Sequence, residues 1–175
     1  MDRILVLGSA GSGKSTLSRK LGSIFDLPVI HLDRYYWNPN WVPTSDEEWD
    51  QRVEALSRQE RWIIDGNYSR TLDIRIGRAD TIIFLDMPTL LCIYRVIKRR
   101  VMYHRKTRPD LNERCPEKLD WAFLKWVWNF RRRSRPRVVQ KLQEASSEKQ
   151  IIILKNRKQV DDFIRRFEKG GNFGS

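Results

Sequence analysis

The stretch ILVLGSAGSGKST at residues 4–16 decides the fold class of this chain. It begins as an apolar run typical of a short buried strand and continues into a turn of glycine, serine and alanine. Helical spacing follows through Leu17 and Leu21. Residues 8–15 match the pattern G-x-x-x-x-G-K-[ST] in full, in the strand–turn–helix context that this pattern requires. Because the backbone N–H groups of such a turn and the N-terminal dipole of the helix bind phosphate oxygens, the stretch predicts a nucleotide site.

The motif also predicts a role for its polar side chains. Lys14 is expected to bridge the β- and γ-phosphates of ATP, and Ser15 is expected to ligate Mg²⁺. The other predicted nucleotide-binding residues are Gly8, Gly11, Ser12, Gly13 and Thr16. ATP and Mg²⁺ are therefore the expected cofactors.

Four more apolar runs alternate with helical patterns along the chain. They cover residues 28–32, 61–65, 80–86 and 150–154. Continuously apolar strands separated by helices are typical of a parallel sheet that is covered on both faces. Together with residues 3–7, these runs predict an α/β fold with a five-stranded parallel sheet. The sequence has no internal repeat and no linker, so we expect a single domain over residues 1–170 and a disordered tail at 171–175.

Helix signals separate the predicted strands. A helix is expected to start at Ser45, where the residues SDEE have the form of a capping box. Further helical patterns cover residues 88–103, 116 to about 133 and 158–168. Pro136 is expected to interrupt or restart the helix that precedes it. The tryptophans of the 116–133 helix recur with other apolar residues at helical spacing, which predicts packing against the core or a neighbouring helix. They are Trp121, Trp126 and Trp128.

The positive charge of the chain is concentrated in one segment. The formal net charge is +12, and residues 95–137 hold 15 basic and 4 acidic side chains, whereas residues 1–94 hold 11 and 13. Such a segment needs an anionic partner, either nucleotide phosphates or a nucleic acid backbone. No apolar run approaches the roughly 18–20 residues that span a bilayer, and two cysteines are too few for a disulfide framework. We therefore expect a cytoplasmic protein without a membrane partner.

Three aspartates, Asp33, Asp65 and Asp86, stand at or just beyond the ends of predicted strands. Ligands of open parallel sheets collect outside the carboxyl ends of the strands, which makes these side chains candidate active-site carboxylates. Each has an alternative role as a loop cap or as the partner of a nearby arginine. For Asp86, a further alternative is that it begins the helix that follows Pro88. The sequence leaves these alternatives open.

Several longer stretches resemble one family of enzymes. In chain order they are GSAGSGKST, HLDRYYWNPNW, WIIDGNYSRTLDIR, ADTIIFLDMP and YRVIKRR. The chain resembles P-loop kinases of the adenylate kinase, shikimate kinase and gluconate kinase type. More closely, it resembles the bacterial adenylate kinase-related proteins often labelled DNA topology modulation proteins. This resemblance covers most of the chain and implies a three-layer P-loop NTPase fold, with strand order 2-3-1-4-5 and a basic lid at about residues 100–118.

The resemblance implies further residues on the ATP side of the site. YRVIKRR is similar to the run that leads into the adenylate kinase lid, where the arginines matching Arg95 and Arg99 contact ATP. Arg131 lies where the family places a post-lid arginine that closes on the phosphates. LKNRKQV is similar to the adenine-contacting loop after the last strand, which implicates Asn156 and Arg157.

A second similar stretch implies residues that bind the metal or the acceptor. DGNYSRT at residues 65–71 is similar to the DGFPRT stretch of adenylate kinases. The match implies that Asp65 helps to hold Mg²⁺ through water and that Arg70 binds the acceptor phosphate. Gly66, the glycine of this stretch, is included among the expected substrate-binding residues.

The acceptor side is expected around the sequence HLDRYYWNPNW. Its HLD is closer to small-molecule kinases, where an aspartate after the second strand faces the acceptor hydroxyl. Asp33 is therefore expected to orient or deprotonate the acceptor, since a carboxylate must lie within hydrogen-bond reach of the attacking oxygen. His31 and Trp37 are expected in the same pocket. The alternatives are a structural strand histidine and a tryptophan that packs the loop down.

These observations favour an ATP-dependent phosphotransferase that moves the γ-phosphoryl group to a nucleotide or small-molecule acceptor. Arginines of the basic segment are expected to stabilise the charge of the transferring group. The alternative is a nucleic-acid-binding ATPase involved in DNA topology modulation, because basic residues interleaved with aromatic ones also suit a nucleic acid backbone. A monomer or a homodimer is expected.

Overall fold

The computed structural model describes residues 1–102 and 121–169 of the chain. Its strands are β1 (Arg3–Gly8), β2 (Val29–His31), β3 (Trp37–Asn38), β4 (Val42–Pro43), β5 (Trp62–Asp65), β6 (Thr81–Leu85) and β7 (Gln150–Leu154). Its α-helices are α1 (Lys14–Phe25), α2 (Leu32–Tyr36), α3 (Asp46–Ser57), α4 (Leu72–Arg78), α5 (Thr89–Met102), α6 (Trp121–Arg133), α7 (Arg135–Ala145) and α8 (Arg157–Lys169). Two short 3₁₀ turns cover Pro39–Trp41 and Ser69–Thr71.

Five of the strands form one parallel sheet in the order β2-β5-β1-β6-β7. These are the five predicted apolar runs, and their order in the sheet is the predicted order, with β5, β6 and β7 as the third, fourth and fifth runs. The predicted α/β fold with a five-stranded parallel sheet is therefore confirmed. The remaining strands, β3 and β4, form a separate antiparallel pair.

Side chains of the sheet are buried on both of its faces because helices cover both. Along β1, Leu5 and Leu7 belong to one core cluster, which also contains buried residues of α3, α4 and α7. Ile4 and Val6 point to the opposite face and belong to a second cluster with α1, α5 and α8. This alternation explains why the strands read as continuous apolar runs in the sequence.

The parallel register brings the ends of three strands to one edge of the sheet. Val6 of β1 lies beside Asp65 of β5, and Asp65 lies beside His31 of β2. On the other side of β1, Gly8 lies beside Leu85 of β6. The turn at residues 8–15, which is the predicted phosphate-binding turn, therefore emerges between the segments that follow β5 and β6.

The N-terminus of α3 has the predicted cap, because the side chain of Ser45 accepts a hydrogen bond from the backbone N–H of Glu48. Two local structures were not expected from the sequence. Residues 34–44 read as a loop but contain the end of α2 and the β3–β4 hairpin. Helix α4 is short, and its two buried apolar residues, Leu72 and Ile76, give too little periodic signal for a prediction.

The prediction of packed tryptophans on α6 is wrong for two of its three residues. The exposed fractions of Trp121 and Trp128 are 81% and 57%, and the buried residues of the helix are Val127 and Phe130. Trp126 is also exposed, although its ring contacts Phe130 of the same helix. The prediction treated every aromatic position of α6 as packed, but only one narrow face of the helix contacts the core.

Part of the sequence-based prediction lies outside the described residues. The expected lid is described only where it overlaps the end of α5, and the expected tail is not described. Within residues 1–102 and 121–169, no helix combines the length and the apolar character needed to cross a membrane.

Candidate active site

The turn between β1 and α1 has the backbone conformation that its glycines predict. Gly11 has a φ of +76° and Gly13 a φ of +103°, which side chains with a β-carbon rarely adopt. A β-carbon on Gly11 would also overlap the carbonyl oxygen of Cys92 in α5. The turn is therefore packed directly against the first half of α5.

Lys14 lies across this turn at the start of α1. Its Nζ donates hydrogen bonds to the carbonyl oxygens of Gly8 at 2.8 Å and Ser9 at 3.0 Å. Burial lowers the pKa of Lys14, and the negative charges of Asp65 and then Asp33 oppose that shift. One ammonium group is thus electrostatically coupled to carboxylates that follow two different strands.

Asp65 ends β5 and pairs with His31, which ends the neighbouring strand β2. The His31 Nδ1 and Asp65 Oδ2 atoms are 2.8 Å apart, so Nδ1 donates when it carries the proton. The side chains are only 13% and 6% exposed. The pairing follows from the strand register, which sets these two residues side by side.

The predicted Mg²⁺ ligands fit the chemistry of that ion. Ser15 follows Lys14 in the first turn of α1, and Asp65 lies close enough to Lys14 to affect its pKa. A hydroxyl and a carboxylate are oxygen donors, which Mg²⁺ prefers in combination with waters and substrate phosphates. The described residues contain no cluster of three or more histidine, cysteine or carboxylate side chains, as a dedicated all-protein metal site would need.

Asp33 lies in the first turn of α2 and accepts a hydrogen bond from a tyrosine. The hydroxyl of Tyr68 donates to Asp33 Oδ1 at 2.7 Å. The Tyr68 ring packs against Tyr36 and Trp49, with ring centroids 4.6 and 4.8 Å away. Burial, together with the charge of Asp33 and this hydrogen bond, raises the pKa of Tyr68. Tyr68 therefore stays a neutral donor.

The segment after β5 is held by a buried arginine that the sequence analysis missed. Arg75 of α4 is fully buried, and it donates to the carbonyl oxygens of Gly66 at 2.7 Å, Tyr68 at 2.5 Å and Thr71 at 3.3 Å. Burial lowers the pKa of Arg75 to about 9, so its guanidinium is still charged at neutral pH. The available sequence signal was its position three residues after Leu72, which places Arg75 on the same, buried face of α4.

Replacing Arg75 with methionine is expected to lower the free energy of unfolding by about 3 kcal/mol, because three buried carbonyl groups lose their donor. Urea denaturation of the purified variant measures this change. The matched control is Arg78→Met on the same helix. Arg78 is exposed and pairs with Glu54, so its loss should cost less than about 1 kcal/mol. Equal effects of the two changes would contradict the role of Arg75.

Asn67 is a second residue that the sequence analysis missed. Its Oδ1 accepts from the backbone N–H of Gly8 at 3.1 Å, and its Nδ2 donates to the Gly8 carbonyl at 2.6 Å. This two-way contact joins the segment after β5 to the start of the predicted phosphate-binding turn, 59 residues earlier in the chain. No local pattern around Asn67 indicates it.

The predicted arginines of α5, Arg95 and Arg99, lie near the predicted phosphate-binding turn. Arg95 Nη1 donates to the carbonyl of Ser12 at 3.2 Å and more weakly to that of Gly11 at 3.4 Å. Arg99 lies close enough to Lys14 for its charge to lower the lysine pKa. Burial raises the pKa of Cys92, and the charges of Lys14, Arg95 and Arg131 oppose the shift. Arg131 of α6 therefore lies close enough to Cys92 for its charge to act on the same thiol as Lys14 and Arg95.

Two charged residues that the sequence analysis considered for the site form ion pairs with other side chains. Arg70 is bound by Asp50, with Nε–Oδ1 at 2.9 Å, and by Asp46, with Nη1–Oδ2 at 3.0 Å, on the exposed surface of α3. The structure thus does not bring Arg70 into the cluster around Lys14. Asp86 accepts two hydrogen bonds of 2.8 Å from Arg135 at the start of α7. The alternative role as an arginine partner is the one that the geometry gives Asp86.

The remaining predicted residues lie around this edge of the sheet. Asn156 and Arg157 follow β7, where Asn156 Oδ1 accepts from Gln159 N at 2.9 Å and Arg157 is exposed beside Asp161.

Trp37 is half-buried and packs against Tyr36 and Trp41, with ring centroids 4.9 and 5.4 Å away. Gly66 has a φ of +141°, and Thr16 is exposed on α1. Ser12 is buried inside the turn.

No protein-family model and no curated protein sequence matches this chain. Solved structures do match it. A shikimate kinase from Acinetobacter baumannii in complex with shikimate has a TM-score of 0.58 at 13% identity, over 99% of this chain and 96% of that one. A gluconokinase from Sinorhizobium meliloti 1021 has a TM-score of 0.52 at 16% identity, over 97% and 91%. A shikimate kinase from Bacteroides thetaiotaomicron has a TM-score of 0.50 at 16% identity, over 96% of each chain. These likenesses show that the fold is that of P-loop kinases.

Proposed function

We propose that this chain, which has the fold of P-loop kinases, is an ATP-dependent phosphotransferase acting on a nucleotide or small-molecule acceptor. One observation carries the proposal. The Lys14 ammonium lies on the phosphate-binding turn and is also coupled to the carboxylates of Asp65 and Asp33. A phosphate donor, a metal-binding carboxylate and an acceptor-side carboxylate would therefore meet around one cation, as in-line phosphoryl transfer requires.

On the donor side, the turn and α1 would bind the phosphates of ATP through backbone N–H groups and the helix dipole. Mg²⁺, held by Ser15 and through water by Asp65, would supply charge neutralisation for the phosphates. Lys14 would hold the transferring group, and Arg95, Arg99 and Arg131 would stabilise the charge on its oxygens. Asn156 and Arg157 are the residues proposed for the adenine ring.

On the acceptor side, Asp33 would orient the attacking hydroxyl. The acceptor oxygen forms a bond to the γ-phosphorus while the bond from that phosphorus to the bridging oxygen of ADP breaks. The hydroxyl proton passes to Asp33 and from there to solvent, and ADP leaves. His31 and Trp37 are proposed to line the acceptor, with His31 oriented by its contact with Asp65.

A second candidate function is nucleic-acid binding with a regulatory ATPase, as the resemblance to DNA topology modulation proteins implies. The observation that favours it is the charge of two helices. Neither α5 nor α6 contains an acidic residue, and both expose aromatic side chains, including Tyr94 and Trp128. Such a surface suits a phosphate backbone but gives salt-sensitive, unspecific binding on its own. We rank this candidate second because phosphate contacts in a kinase account for the same charge.

The test compares the two candidates directly. ADP release from ATP and Mg²⁺ is measured with water alone and with a panel of nucleoside monophosphates, nucleosides, small sugars and small organic acids. We expect one class of acceptor to raise the rate well above the rate with water. Binding of a fluorescent duplex DNA is measured at physiological salt in parallel. Tight DNA binding without any acceptor-dependent ADP release would contradict the kinase proposal.

A further inference from the structure

Two groups attract the carboxylate of Asp33. The Tyr68 hydroxyl donates to Asp33 Oδ1 at 2.7 Å. The Lys14 ammonium lies close enough to Asp33 for the two charges to affect each other. We infer that Tyr68 is a positioning residue that holds Asp33 toward the acceptor and keeps it from turning to Lys14. The inference rests on the proposed kinase function.

The Tyr68 hydroxyl is suited to this role because it is a neutral donor in a partly buried setting. A hydrogen bond from a neutral donor to a carboxylate is short and strong when little water competes for it. The burial of the phenol and the negative charge of Asp33 both raise its pKa. Tyr68 therefore keeps its proton over the working pH range and donates to Asp33 in every turnover.

The Tyr68 side chain is also held firmly in place. Its ring packs against both Tyr36 and Trp49, and the two ring pairs are tilted by 47° and 56°. Its carbonyl oxygen accepts from the buried guanidinium of Arg75 at 2.5 Å. Both the ring and the backbone of Tyr68 are thus anchored to helices α3 and α4, so the hydroxyl has a defined position relative to α2.

The two carboxylate oxygens of Asp33 would therefore have different contacts. Oδ1 is engaged by Tyr68, so an acceptor hydroxyl would meet Oδ2. If the tyrosine hydroxyl were missing, the Lys14 charge would draw the carboxylate toward the donor phosphates. Asp33 would then pair with the lysine that has to hold the transferring group, and the acceptor hydroxyl would lose its orienting contact. The rate of transfer would fall, whereas ATP binding would not need to change.

The experiment is a double-mutant cycle between Tyr68→Phe and Asp33→Ala, measured as ADP release with the best acceptor of the panel. Where no acceptor exceeds water, the same comparison uses the hydrolysis rate. Tyr68→Phe keeps the ring and should lower kcat on the order of 10-fold, with the KM for ATP within about twofold of the wild-type value. In the Asp33→Ala background, the same change should alter kcat by less than about twofold.

The control variant is Tyr36→Phe, which removes a hydroxyl from the same aromatic cluster and leaves the Tyr68–Asp33 hydrogen bond in place. It should keep the wild-type kcat, and thermal unfolding confirms that every variant is folded. An unchanged kcat in Tyr68→Phe, or an equal loss with and without Asp33, would overturn the positioning role. A wild-type chain that releases no ADP from ATP would overturn the proposed kinase function, and the inference with it.

Discussion

Replacing Lys14 with alanine is expected to abolish ATP turnover, lowering kcat/KM by about 10³-fold or more. The Nζ atom lies within hydrogen-bond distance of two carbonyl groups of the phosphate-binding turn, and its charge is coupled to Asp65 and Asp33. It would therefore be the cation nearest both the donor phosphates and the acceptor-side carboxylates. Alanine removes that charge and leaves the two carboxylates to repel the phosphates.

The measurement is ATP affinity by titration calorimetry together with steady-state ADP release. Lys20→Ala is the matched control, because Lys20 is an exposed lysine on the same helix α1. It should retain wild-type turnover. Turnover that survives in the Lys14 variant would remove the phosphate-binding turn from the mechanism, provided thermal unfolding shows that the variant is folded.

Replacing Asp33 with asparagine is expected to lower phosphoryl transfer by about 10³-fold while ATP affinity is kept. Asparagine has nearly the same shape, and its side-chain oxygen can still accept the hydrogen bond that Tyr68 donates to Oδ1. The substitution removes the negative charge that would attract the proton of the acceptor hydroxyl. The effect should therefore fall on kcat and leave the KM for ATP nearly unchanged.

Single-turnover transfer and equilibrium ATP binding separate these two effects. The control is Asp73→Asn on α4, an exposed carboxylate that pairs with Lys141. Its transfer rate should equal that of the wild-type chain. If transfer survives in the Asp33 variant at the wild-type rate, another group receives the acceptor proton and Asp33 does not belong to the acceptor side.

The sequence predicted the elements whose signals are local. The five strands were read from continuous apolar runs, and the start of α3 was read from the capping box at Ser45, which the structure contains. The glycines of the turn were also informative, because Gly11 and Gly13 have positive φ angles, which residues with a β-carbon rarely adopt. These features depend on residues that are close together in the chain.

The sequence failed where partners are far apart in the chain. Asn67 and Gly8 are separated by 59 residues, and Tyr68 and Asp33 by 35. Arg75 is a charged residue on the buried face of α4, a helix too short for its apolar pattern to be recognised. Its backbone partners are defined only by the fold of the segment after β5. The exposed Trp121 shows the converse, since an apolar side chain does not reveal which face of α6 meets the core.

What the sequence by itself determined is the glycine-rich turn that is predicted to bind nucleotide phosphates and the sheet that carries it. The turn at residues 8–15 and the apolar strands are encoded by local backbone preference and by burial on both faces of the sheet. Only the tertiary structure decided the hydrogen-bond partners of the three strand-end aspartates. Asp65 pairs with His31, Asp33 with Tyr68 and Asp86 with Arg135. The physical reason is that each carboxylate takes the donor that strand register and helix packing bring beside it.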